Sequence, residues 1–234
     1  MIADLHSHIL PGIDDGSASV EESAALLKLL REQNISQVVA TPHFYPTQDR
    51  PDRFLARRQR ALEQLQAHLG AGLRDYPRIT LGAEVYYYPG MSDSEVLRKL
   101  TIGDGDCILV EMPMGPWTEA MYRDLVQIRE RQGLTPVIAH VDRYISPLRT
   151  FGIPAQLEQL PVLVQANASF FLRRGTRNMA LRMLKKGQIH LLGSDCHNLT
   201  HRPPQLGNAV EEIRSHLGEE ALERVALLQK RVLE

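Results

Sequence analysis

Short apolar, β-branched runs alternate along this chain with longer stretches whose apolar residues recur every three or four positions. A brief continuous apolar run reads as a buried strand, and the three-to-four spacing as one face of a helix. Seven runs read as strands: 2–5, 37–41 (QVVAT), 79–85, 107–111 (CILVE), 135–140 (TPVIAH), 162–166 (VLVQA) and 189–193 (IHLLG). Between the first two, 20–33 sets Ala24, Leu26, Leu27 and Leu30 on one helical face, with Ser19 or Ser17 as its cap. Residues 52–69 predict a long charged helix with Phe54, Ala61, Leu62, Leu65 and Leu69 inward. Shorter helices are predicted over 92–99, over 118–132 (stopped by Gly133), over 154–160 and over 176–186 (stopped by Gly187). Two more, 205–217 and 219–233, close the chain, with apolar faces that could pack on the sheet or on a second subunit.

Strands alternating with helices predict βαβ units and a mainly parallel sheet. Strands apolar throughout suit a sheet covered on both faces. No Pro/Ser-rich linker or charge block divides the chain, so residues 1–234 read as a single domain. Seven βα units are one short of the common eight-fold barrel, and an open doubly wound sheet has the same rhythm.

Polar residues at the strand ends separate these two folds. His6 and His8 close the first strand, His43 the second, Glu84 the third, Glu111 the fourth and His140 the fifth, while Asp195 and His197 follow the seventh. In a barrel the C-terminal strand ends converge on one face; in an open sheet the outermost of these residues would lie too far apart. The pattern favours a closed or nearly closed barrel. Imidazoles and carboxylates together suit Zn, Mn and Fe. In His6-x-His8 the side chains lie two apart on a strand and share one face, so both can reach one ion. With Asp15 from the following loop the set numbers nine, more than one ion can use, which implies two or three divalent ions. Two ions about 3.5–4 Å apart can activate a hydroxide and stabilise an in-line phosphoryl displacement. Any one of these residues alone would read as a packed or paired side chain; the joint placement carries the inference. His68, His190, His201 and His216 fall outside it and read as structural.

Composition narrows the class. The chain has 27 Lys and Arg against 28 Asp and Glu, a net charge of −1, with no basic field for nucleic acid. Its two cysteines, Cys107 and Cys196, do not suggest a disulfide scaffold, and a reducing cytoplasm fits them best. No signal-peptide pattern and no apolar run long enough to insert in a membrane is present.

The ordered motifs resemble the polymerase and histidinol phosphatase (PHP) superfamily. Leu5-His6-Ser7-His8-Ile9, Gly12-Ile13-Asp14-Asp15-Gly16, Ala40-Thr41-Pro42-His43, His140-Val141-Asp142-Arg143-Tyr144 and Arg202-Pro203-Pro204 resemble more closely its CpsB/YwqE-type bacterial protein-tyrosine phosphatases. The resemblance runs from His6 to about Pro204. It implies a distorted (βα)7 TIM-like barrel, three ions with manganese first and iron or zinc as alternatives, and a part in capsule or exopolysaccharide synthesis. The implied partner is a phosphotyrosine protein, an autophosphorylating bacterial tyrosine kinase. By motif position His6, His8, Glu84 and Asp195 would hold one ion. Glu84, Glu111 and His140 would hold a second, and Asp15, His43 and His197 a third. Asp14 is the alternative to Asp15, and periodicity does not separate them. Arg143 and Arg202 are the expected phosphate-binding residues, since guanidinium forks match phosphate oxygens. Arg173, Arg174 and Arg177 read as a solvated helix start that could steer an acidic peptide, and Tyr86, Tyr87 and Tyr88 as a partial aromatic slot.

Three other readings compete. Cys196 and Arg202 have the spacing of the cysteine-based tyrosine phosphatase signature, but the intervening HNLTH has no glycine for a phosphate cradle and Asp195 opposes a thiolate. A histidinol-phosphate phosphatase would share the hydrolytic residues. A metal-stabilised binding protein would be expected to have one closed four-ligand site instead of nine open candidates.

Overall fold

The protein is described by a computed structural model covering residues 2–146, 148 and 150–234. β1 (Asp4–Ser7) leads through a loop to α1 (Val20–Glu32), where the Ser19 hydroxyl accepts the Glu22 N–H and so decides between the two expected caps. The second expected strand is two pieces, β2 (Gln37–Ala40) and β3 (His43–Phe44), and so is the third, β4 (Arg78–Leu81) and β5 (Glu84–Tyr86). Pro42 interrupts the former because it has no N–H to give to a ladder. At the latter break Gly82 lies so close to Val39 and Thr41 that a Cβ would sit 3.2 and 3.3 Å from their methyl groups. Between these pairs runs α2 (Pro51–Leu69), burying Phe54, Ala61, Leu65 and Leu69.

β6 (Cys107–Glu111), α3 (Glu119–Gln132), β7 (Thr135–Ile138), α4 (Ile153–Leu157) and β8 (Leu163–Asn167) follow. Gly133 ends α3 at φ 68°, in the left-handed conformation a helix-terminating glycine supplies. After them come α5 (Ala168–Leu172), α6 (Arg177–Lys185), β9 (Leu191–Gly193), α7 (Leu206–Leu217) and α8 (Glu219–Leu233). The helix expected over 92–99 is instead two short 3-10 turns, Met91–Asp93 and Glu95–Lys99. The Gln132 side chain donates to the carbonyls of Ser92 and Ser94, which an α-helix would need for itself. Five-residue α5 is too short to show a periodicity.

The named strands pair in parallel throughout the described residues. β1-β2-β4 form one sheet and β3-β5-β6-β7-β8-β9 another. The two are continuous along the chain, since β2 runs into β3 and β4 into β5. Beyond β9, Asp195 N–H donates to the His6 carbonyl (2.8 Å) and His8 N–H to the Cys196 carbonyl (2.9 Å), linking the last strand to the first. The result is a curled parallel sheet with helices outside it. Leu5, Val39, Leu109, Val137 and Leu191 meet in one apolar cluster inside the curl, and Val232 of α8 joins it. The larger apolar cluster lies between sheet and helices. The C-terminal helices pack on their own chain: the Gln229 amide accepts from Ala3 N–H and donates to the Ala3 carbonyl.

Candidate metal centre

The curl brings the strand ends together, and the expected polar residues with them. His6 lies within β1 and His8 just beyond it, with their Nε2 atoms 3.2 Å apart. Glu84 opens β5 and reaches four imidazoles. Its Oε2 is 3.3 Å from Nε2 of both His6 and His8 and 3.0 Å from His43 Nδ1, and its Oε1 is 2.6 Å from His140 Nε2. Asp195 Oδ1 stands 3.6 Å from His6 Nε2 and 3.5 Å from His8 Nε2. Glu111, at the end of β6, lies 3.6 Å from His140 and 3.8 Å from His43. Asp15 Oδ1 is 3.4 Å from His43 Nε2 and 3.5 Å from His197 Nε2. All nine expected residues therefore converge. Three of the groupings they form have ligand-type atoms close enough to share an ion: His8, Asp15, His43 and His197; His6, His8 and Asp195; and His43, Glu84 and Glu111.

Asp14 and Asp15 part company here. Asp14 turns inward, and its Oδ2 accepts from His8 Nδ1 (2.8 Å) and from His43 N–H (3.0 Å), contacts that hold its carboxyl well below the usual range against the upward push of burial. Asp15 faces the cluster mouth and is 66% exposed. Gly16 explains why the pair ends in glycine. A Cβ there would fall 2.3 Å from the His8 carbonyl oxygen and 2.5 Å from His8 Cβ.

Gln165 and Asn167, both on β8, organise the far side. The His140 N–H can only donate, so it fixes the Gln165 oxygen toward itself at 2.6 Å. The same oxygen lies 3.2 Å from His6 Nδ1, which must then carry a proton. Gln165 Nε2 donates to Asn167 Oδ1, and Asn167 Nδ2 to Asp195 Oδ2. Likewise Asp14 takes the Nδ1 proton of His8, and the Asp195 carbonyl that of His197. His6, His8 and His197 are thereby left with their Nε2 lone pairs aimed inward. Such outer contacts are what set the tautomer of metal-binding histidines.

Two lone pairs 3.2 Å apart, with a carboxylate oxygen 3.3 Å from each, need a positive charge among them. Glu84 Oε2, Asp195 Oδ1, His43 Nδ1, His140 Nδ1 and His197 Nε2 are buried with no hydrogen-bond partner among the described residues. Without a cation, protons must supply the charge. Burial pushes His8 down, but the carboxylates of Asp14 and Glu84 reverse this and bring it up to about 10. His197 goes the other way, to about 3, through burial and the neighbouring positive His8. Burial and the adjacent Glu84 push Glu111 up. The backbone is bent to the purpose: His140 (φ 32°) and Asp195 (φ 53°) hold left-handed conformations uncommon outside glycine. The nitrogen and oxygen donors, inward lone pairs and partnerless oxygens fit divalent cations.

Arg143 and Arg202 stand beside this cluster, each donating to Asp195 Oδ2 at 2.6 Å. Arg202 is brought back by a turn in which Asn198 Oδ1 accepts the N–H groups of Thr200, His201 and Arg202. The three adjacent tyrosines divide. Tyr86 faces Tyr45, ring centroids 5.8 Å apart, whereas Tyr87 donates to Asp124 (2.6 Å) and, like Tyr88, packs against the core. Cys196 is fully buried, and burial with the nearby Asp4 charge pushes its thiol far up. Cys107, also buried, is raised to about 12. Neither is a poised nucleophile. The signals missed in the sequence were Gln165, Asp14 as an orienting group, Asn198 and the bond from Asn167 to Asp195. None is an unusual residue in its segment, although Asn167 ends a strand as the ligand candidates do.

The CpsB/CapC capsular polysaccharide synthesis family matches residues 2–233, nearly the whole chain. The chain belongs to that family. Over 233 residues it is 30% identical to the tyrosine-protein phosphatase CpsB of Streptococcus pneumoniae, covering 92% of this chain and 90% of that one. Over 231 residues it is 27% identical to the tyrosine-protein phosphatase YwqE of Bacillus subtilis, covering 93% of this chain and 85% of that one. A solved structure from the study of YwqE and CpsB, described there as unique metal-dependent tyrosine phosphatases, superposes with a TM-score of 0.82 at 23% identity over 98% of this chain and 95% of its own. The CpsB/CapC fold thus frames the cluster described above.

Proposed function

We propose that this protein is a metal-dependent protein-tyrosine phosphatase of the CpsB/CapC type, acting in capsular or exopolysaccharide synthesis. The observation that carries the reading is the meeting of inward imidazole lone pairs with the partnerless oxygens of Glu84 and Asp195, directly beside two arginines. His6, His8, Glu84 and Asp195 would hold one ion; Glu84, Glu111 and His140 a second; Asp15, His43 and His197 a third. Manganese is the first candidate, with iron and zinc next. When bound, such ions polarise phosphoryl oxygens and make water a nucleophile at neutral pH.

The chain's own residues supply the rest. Arg143 and Arg202 bind the phosphoryl oxygens, and Asp195 holds both guanidinium groups in register for an oxyanion. Water oxygen bonds to phosphorus, the bond from phosphorus to the tyrosine oxygen breaks, and tyrosine and inorganic phosphate leave. Hydrolysis is direct, and no phosphocysteine forms, since the buried thiol of Cys196 is no nucleophile.

Around this site we read the two sheets as one distorted ring of seven strands, closed between β9 and β1, in a single domain over 1–234. The apolar cluster shared by five strands and the backbone bonds from Asp195 and His8 support it. The substrate is a phosphotyrosine protein, for which an autophosphorylating kinase is the natural choice. Unpaired buried cysteines support a cytoplasmic location, and no helix among the described residues is long and apolar enough to cross a membrane.

The test uses metal-stripped protein with a phosphotyrosine peptide and with histidinol phosphate, adding back Mn²⁺, before and after thiol alkylation. Metal-dependent peptide turnover that survives alkylation is expected. Turnover confined to histidinol phosphate would move the activity to a small-molecule phosphatase, and metal-independent turnover lost on alkylation would refute the reading.

A further inference from the structure

A cavity of about 400 Å³ is lined by Arg143, Arg202 and the ligand candidate Asp195. Two carboxylates line it, and both are engaged: Asp195 takes the two arginines, and Asp142 Oδ1 accepts the Asn167 N–H. On its outer side stand Arg173, directly after α5, and His201, in the turn before Arg202. Both are exposed, and neither side chain has an ion pair or hydrogen bond among the described residues. This sets Arg173 apart from its neighbour Arg177, which pairs with Glu212 at 3.0 Å. The cavity therefore has an inner cationic wall already held by a carboxylate and an outer donor pair with none.

We infer that Arg173 and His201 bind a second oxyanion of the substrate polypeptide, set close to the phosphotyrosine in its sequence, and so determine which phosphotyrosine is removed. This rests on the phosphatase reading above. One phosphate between Arg143 and Arg202 leaves most of the chamber free, because ligand pockets of roughly 300–1,000 Å³ accommodate groups far larger than a phosphate. A guanidinium suits either a carboxylate or a phosphate. The second group is thus a neighbouring acidic side chain or a neighbouring phosphotyrosine, two sources of one chemistry. Arg173 and His201 belong to different loops, one after β8 and one after β9, so they would grip an extended peptide across the mouth.

The experiment compares three phosphotyrosine peptides identical but for the neighbouring residue: alanine, glutamate or a second phosphotyrosine. Phenyl phosphate reports the reaction without a peptide. The wild-type protein should prefer either anionic peptide over the alanine peptide by about tenfold in kcat/KM, the size of one charge-assisted hydrogen bond. The larger of the two preferences identifies the source. Arg173→Ala should bring the ratio close to one by raising KM for the anionic peptides, and Arg173→Glu should invert it. His201→Ala should reduce it in part. The wild-type preference should weaken as salt is raised. An equal ratio in wild type and Arg173→Ala, or no wild-type preference, would overturn the assignment. Failure of the wild-type protein to hydrolyse either phenyl phosphate or the alanine peptide would instead overturn the phosphatase reading.

Discussion

Replacing Gln165 by leucine tests whether the imidazoles are set by their outer contacts. Gln165 is fully buried and joins three things: the His140 N–H at 2.6 Å, His6 Nδ1 at 3.2 Å and Asn167 Oδ1 at 3.0 Å. Leucine has similar bulk but satisfies none of them. Each buried polar group left without a partner costs about 1–3 kcal/mol, so three cost on the order of 3–9 kcal/mol if none relaxes. That is a large share of a typical stability of about 5–15 kcal/mol, so a substantial fall in Tm is expected while the fold survives. The site effect is separate. Without Gln165 nothing fixes His6 as the Nδ1-protonated tautomer, and Asn167 can turn away from Asp195. Loss of such an outer partner typically weakens metal binding by about 10–100-fold. Calorimetric titration of Mn²⁺ into stripped protein measures this directly, and circular dichroism at the same temperature confirms that the variant is folded. Turnover should recover toward wild type at saturating Mn²⁺, since Gln165 touches no reacting atom. A folded variant with unchanged Mn²⁺ affinity would refute the argument that β8 orients the cluster.

Three further outcomes follow from the geometry. Gly16→Ala should push the Asp14–Asp15 turn off His8, because its Cβ would overlap the His8 backbone; about 1–3 kcal/mol of overpacking and a loss of metal affinity are expected, read by thermal melts and titration. Arg143→Ala should lower kcat roughly 10²–10³-fold, the usual effect of losing one transition-state donor, with metal content unchanged by elemental analysis; a variant that loses metal would speak for a structural role instead. Chelation should lower Tm, since metal at about 100 times its Kd stabilises the bound fold by about 2.7 kcal/mol, and a Tm indifferent to metal would count against the cluster as a cation site.

Legibility in the sequence followed the physics of each signal. Buried parallel strands are continuous apolar runs, so their order along the chain and their parallel pairing could be read, as could α1, α2 and α3 from their spacing and ends. The breaks at Pro42 and Gly82 were harder to see. Each splits one strand into two, and the second comes from a close approach of Gly82 to Val39 and Thr41 that only the packed sheet creates. The short turns at Met91–Asp93 and Glu95–Lys99 depend on Gln132, far away in sequence. In the site, histidines and acids at strand ends stand out against apolar runs. Gln165, in contrast, is one polar residue within VLVQA, and its importance lies in facing His6 and His140 across the curl. Asp14 and Asp15 are indistinguishable by pattern, because what separates them is which carboxylate the turn at Gly16 directs at His8.

These placements also explain why the cluster sits at this end of the sheet. Asp195 is held in a left-handed conformation between two backbone demands, its N–H bonded to the His6 carbonyl and its carbonyl to His197 Nδ1. Its side chain divides its two oxygens between the imidazoles of β1 and the arginines of two loops. The residue that joins the last strand to the first is therefore the residue that joins the proposed metal site to the proposed phosphate site. A sheet that failed to curl would separate His6 from Asp195 and both arginines from the imidazoles at once. Burying Glu84 Oε2 and Asp195 Oδ1 without a hydrogen-bond partner opposes that curl as long as no cation is bound, even though Asp195 Oδ2 is paired with both arginines, because a buried polar atom left unsatisfied is costly. Cation binding relieves the same opposition, so curling of the sheet and assembly of the site draw on one free energy.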